Sequence, residues 1–135
     1  MSSRGKTAVM KSRVEKAVAW AQRSMRTAYH VPVVPMTRQN LVESDEDIVL
    51  ACDRTGRGID DKDHFIVYFN PAHVEKASVQ SLRRFAGHEV IHMVLFGFGE
   101  IAQRGVRSEV EQRELMSELE SVTYKFQRIL FGEAE

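Results

Sequence analysis

Between about Thr7 and Tyr29, apolar residues (Val9/Met10, Val14, Ala17/Val18, Ala21, Met25, Ala28/Tyr29) recur every three or four positions with basic side chains between them. That spacing predicts an amphipathic helix. Pro32 and Pro35 cannot continue it and force an extended passage through Val31–Pro35. Met36–Val42 fits either a strand or a short turn of helix. Ile48–Cys52 and His64–Phe69 are short, rich in β-branched and aromatic residues, and bounded by turn formers, so both read as strands. The residues from 54 to 63, with Gly56 and Gly58, read as the hairpin loop between them, and Asn70-Pro71 closes the second strand.

A buried helix is predicted next, running from an N-cap at Ser78 through Leu82, Phe85, Ala86, Val90, Ile91 and Met93–Phe96 to a stop at Gly97 and Gly99. A last helix covers about Ser108 to Phe131, with an apolar stripe of Leu115, Leu119, Val122, Phe126 and Ile129/Leu130. The order helix, strands, helix, helix predicts an α+β fold in which helices cover one face of a small, mainly antiparallel sheet. At 135 residues, the chain is expected to form a single domain over 1–135.

Net charge is zero, but its distribution is uneven. Residues 1–30 hold seven Lys/Arg against Glu15 alone, whereas residues 43–63 hold eight acids against Arg54, Arg57 and Lys62. The basic first helix reads as a solvated face, with nucleic acid or an acidic protein as the alternative contact. Cys52 is the only cysteine, so no intramolecular disulfide or Cys-x-x-Cys metal knuckle can form, and its apolar neighbours suit a small core residue. No secretory leader or membrane-length apolar run is visible, and the expected location is cytoplasmic.

The chemistry concentrates in His88-Glu89-Val90-Ile91-His92. Two histidines four positions apart project from one helix face and can place imidazole nitrogens on a single Zn²⁺. A carboxylate beside the first of them can take a proton from a water that the metal acidifies. Burying two imidazoles and a carboxylate together without a metal would be costly. Glu89 is therefore the candidate catalytic base, and His88 and His92 are the candidate metal ligands.

Catalytic zinc usually takes three protein ligands, and no histidine follows His92. The last helix offers carboxylates instead. With Glu114 as origin at 100° per residue, the apolar stripe spans roughly 60–160°, Glu118 falls near 40° and Glu111 near 60°, while Glu109 and Glu120 point away at about 220–240°. Facing angle alone thus favours Glu118 or Glu111.

His88-Glu-x-x-His92 followed by Glu114-Leu-Met-Ser-Glu118 resembles the gluzincin arrangement of thermolysin-like and related small zincins. The chain's size is similar to that of minimal bacterial and phage zincins. The resemblance implies a zincin-like fold with His88, His92 and Glu114 as zinc ligands, Glu89 as general base, and Glu118 orienting a ligand histidine. Glu111 remains an alternative ligand. It also implies a peptide or protein substrate, which the strand before the His-bearing helix could accept by β-addition. The part of larger gluzincins that supplies an oxyanion donor has no counterpart here, and His64, His73, Tyr68 and Tyr124 are the candidate substitutes.

Two functions fit these residues. One is a zinc-dependent metallopeptidase. The other is a zincin-fold binding protein, stabilised by structural zinc, that docks nucleic acid or a protein through its basic first helix. An intact Glu89 favours the enzyme, because a structural site needs no carboxylate there.

Overall fold

A computed structural model describes residues 3–37, 48–57 and 63–132. Its elements are α1 (Ser3–Met25), β1 (Val33–Pro35), β2 (Leu50–Arg57), β3 (Asp63–Phe69), α2 (Pro71–Lys76), α3 (Val79–Gln103) and α4 (Glu109–Phe131). The domain is α+β, as its element order predicts. The segment from Arg38 to Val42 and the loop residues from 58 to 62 lie outside the described residues.

The sheet is mixed rather than mainly antiparallel, with strand order β1-β3-β2. β1 pairs parallel to β3, Val33 opposite Val67, and β2 pairs antiparallel to it, Leu50 opposite Phe69. The parallel pair follows from the prolines. They make Val31–Pro35 extended, and the Val67 and Met36 amides then bond to the carbonyls of Pro32 and Phe69 at 3.0 and 2.8 Å. β2 reaches Arg57, further into the expected loop, with a register irregularity between Arg54 and Gly56.

Alternation along β3 buries Phe65, Val67 and Phe69, while Ile66 and Tyr68 are half-exposed. Those three pack with Val14, Ala17, Val18 and Ala21 of α1, Val74 of α2, and Leu82, Ala86, Val90 and Met93 of α3. α1 begins earlier than its period suggests and ends at Met25, where Arg26 takes a positive φ of 56°. Arg13 is committed to structure. Its guanidinium donates to the carbonyls of Val74 (3.0 Å) and Ala77, tying α1 to α2.

α3 starts where expected, with Ser78 Oγ accepting from the Ser81 amide at 3.1 Å. It does not stop at Gly97 or Gly99 but continues to Gln103. A glycine ends a helix by adopting positive φ, and among the described residues only Gly132 does so. Gly99 is instead a packing site, where a Cβ would sit 3.3 Å from Leu119 Cδ1 of α4. No helix among the described residues is long and apolar enough to cross a membrane.

Gly87 of α3 lies against the Phe131 ring of α4. A Cβ there would lie 2.5–2.9 Å from three ring atoms of Phe131. Gly87→Ala must displace that ring, which also packs against Trp20 in a tilted arrangement with centroids 5.3 Å apart. We expect it to cost about 1–3 kcal/mol in chemical denaturation, despite the better helix propensity of alanine.

Candidate metal centre

His88 and His92 stand one turn apart on α3, their Nε2 atoms 3.0 Å apart and their rings nearly perpendicular. α4 folds back antiparallel and brings Glu120 between them. Glu120 Oε1 lies 3.0 Å from His88 Nε2, and Oε2 lies 3.2 Å from His92 Nε2. This trio is the one His/Cys/Asp/Glu group among the described residues with the geometry to hold a metal ion.

The donor set fits a tetrahedral ion. Bonds of ~2.0–2.1 Å place ligand atoms roughly 3.3 Å apart, close to the separations here. His88 Nδ1 is 2.6 Å from Oε1 of the buried Gln127. With the proton on Nδ1, donated to that oxygen, the Nε2 lone pair faces His92 and Glu120. His92 is held below the usual histidine pKa, first by burial and then by His88, with Glu120 opposing. Two imidazole nitrogens facing a carboxylate form a donor set that a cation would satisfy.

The structure does not bring Glu114 or Glu118 to this point. Both are exposed and absent from the cleft lining. Glu111 caps its own helix, accepting from the Arg107 amide at 2.6 Å while its amide donates to Ser108 Oγ at 3.2 Å. The angular reading had turned Glu120 outward because it placed the apolar stripe inside. In the fold, Thr123 and Gln127 are the buried positions of α4, and the helix is turned roughly 90° from that expectation.

Gln127, which sequence reasoning missed, stands where the resemblance placed Glu118. Glu120 and Gln127 lie seven positions apart, two turns along one face, and that spacing was the available signal. Gln127→Leu removes the acceptor for Nδ1 and frees the tautomer. Zinc affinity should fall ~10–100-fold in competition with a chromophoric chelator.

Glu89 is 8% exposed. Burial pushes its carboxyl up to about 7; a hydrogen bond from Cys52 opposes that, and the charges of Glu120 and Asp53 add to it. Cys52 Sγ lies 3.7 Å from the Glu89 carbonyl oxygen. Burial, and then Glu89, push its thiol far above the usual range, so no thiolate nucleophile is available near neutral pH.

These side chains open into a cleft of about 760 Å³ between β2, α3 and α4. One wall is Ile48–Cys52 on and before β2, an edge strand of the sheet. β3, expected to receive a peptide, is paired on both sides and has no free edge. Of the four candidate oxyanion donors, Tyr124 alone lines the cleft, its ring 4.8 Å from that of His88. His64 bridges to His30 instead.

The chain matches no protein-family model, no curated protein and no solved structure. Its function therefore rests on the residues of the cleft.

Proposed function

We propose that the chain is a zinc-dependent metallopeptidase of gluzincin type, with a zincin-like fold, in which His88, His92 and Glu120 hold the metal. The observation that carries the reading is the meeting of Glu120 with both histidines beside a buried Glu89. Zinc bound there would supply a Lewis acid that polarises a carbonyl and acidifies water. Gln127 holds the His88 ring in the ligating tautomer. Glu89, with a pKa raised to about 7, accepts the proton of the attacking water and passes it to the departing amine. The outer edge of β2, which pairs with no strand among the described residues, aligns an extended substrate along the cleft wall. Tyr124, at the cleft, offers a phenol to the developing oxyanion.

A purely structural zinc site would gain nothing from a buried, destabilised carboxylate next to a ligand. Glu89 thus supports the enzyme over the binding protein.

The test is elemental analysis of protein expressed in zinc-replete medium, joined to an unbiased peptide-library cleavage screen. One zinc per chain and cleavage that disappears on chelation are expected. Absence of zinc sinks the metal site, whereas zinc without cleavage of any library member sinks the peptidase reading alone.

A further inference from the structure

Helix α4 carries two faces, and the fold uses one of them and, through Leu119 on Gly99 of α3, part of the other. Glu120, Thr123, Gln127 and Phe131 turn toward α3 and the cleft. A second line, Leu115, Leu119, Val122, Phe126 and Ile129, repeats at intervals of four, three, four and three residues. That is the a/d seam of a coiled coil, with Leu119 and Phe126 at a and Leu115, Val122 and Ile129 at d. Its C-terminal half stands in water. Phe126 is 45% exposed, Ile129 77% and the adjacent Leu130 48%. A contiguous row of this kind on a small domain marks an interaction surface.

Charge says what fits it. In this heptad frame the solvent-side g positions are Glu111, Glu118 and Lys125. More broadly, residues 109–120 hold five glutamates and one arginine, whereas residues 121–131 hold Lys125, Arg128 and no acid. A parallel neighbour would set these g positions against e positions, which are Met116, Thr123 and Leu130 and carry no charge. An antiparallel copy sets g against g, so Glu118 of each chain meets Lys125 of the other, and the acidic half of each helix lies along the basic half of its mate. The arrangement is two-fold symmetric and closes as a dimer.

We infer that the Leu115–Ile129 seam is the interface of a homodimer, in which a second copy's α4 lies antiparallel across it. Ile129, Phe126 and Leu130 become buried in that dimer. The inference does not depend on the metal centre, because Glu120 and Gln127 lie on the other face of the helix.

Sedimentation equilibrium of the full chain across the micromolar range tests it. The mass should rise with concentration to twice 15.4 kDa. Ile129→Asp, at an exposed position, should hold the chain at monomer mass with its helical circular dichroism unchanged. Glu118→Lys and Lys125→Glu should each raise the dissociation constant on the order of tenfold, because each places like charges opposite one another twice. A one-to-one mixture of the two variants should regain wild-type affinity. A wild-type chain that stays monomeric at the highest concentration overturns the inference, as does a dimer that tolerates Ile129→Asp. A dimer indifferent to both charge reversals overturns the antiparallel arrangement.

Discussion

Replacing Glu120 with alanine is expected to abolish stoichiometric zinc binding, while Glu114→Ala and Glu118→Ala leave it intact. Outer partners of metal ligands already contribute ~10–100-fold in affinity, so loss of a direct ligand should exceed about 100-fold. Glu114 and Glu118 are exposed on the far side of α4, and truncating them should change affinity by about twofold or less. Competition titration against a chromophoric chelator measures all three variants on one scale. Thermal unfolding gives a second readout. A ligand present at a thousand times its dissociation constant stabilises the folded state by about 4 kcal/mol. Excess zinc should therefore raise the melting temperature of wild type and of Glu114→Ala, and leave that of Glu120→Ala unmoved. Loss of zinc from Glu114→Ala with retention by Glu120→Ala would return the third ligand to the Glu114-x-x-x-Glu118 spacing and refute the geometry of the cleft.

The distance between Glu114 and Glu120 shows which parts of this protein can be read from its sequence. His88 and His92 were legible because helix periodicity fixes their relationship within one element. The Ser78 cap sets where that element begins, and nothing outside it can alter a four-residue spacing. The last helix was legible as a helix from its stripe and from Ser108, but its rotation was not. Rotation is decided by what the neighbouring helix presents. α3 offers two imidazoles and two close-packing glycines, Gly87 and Gly99, and α4 answers with Glu120, Gln127, Leu119 and Phe131. The C-terminal half of the most apolar stripe, which in a simple amphipathic helix would turn inward, is left toward solvent. Similarly, β3 was recognisable as a strand, but its central position was not, since β1 is three residues long and is held by backbone pairing to either side of two prolines. The consequence is functional, because the strand edge that borders the cleft belongs to β2.

Glu89→Gln carries the second large effect, a loss of hydrolysis with the metal retained. The amide has the shape of the carboxyl and removes the charge that burial at this position disfavours, so the fold and the positions of His88 and His92 should be preserved. What it cannot do is accept a proton. A positioned general base contributes roughly 10²–10⁴-fold, and the loss should fall on kcat, because the role proposed for Glu89 is on water and on the departing amine rather than on substrate affinity. Zinc content, measured on the same preparation, should match wild type. His92→Ala, by contrast, should lose zinc and activity together. The pair of variants separates two failures that activity alone would merge. An inactive Glu89→Gln that has also lost zinc would make Glu89 a supporter of the metal rather than the base. A Glu89→Gln that keeps both zinc and turnover would move the base elsewhere in the cleft, which Glu120 and Tyr124 also line.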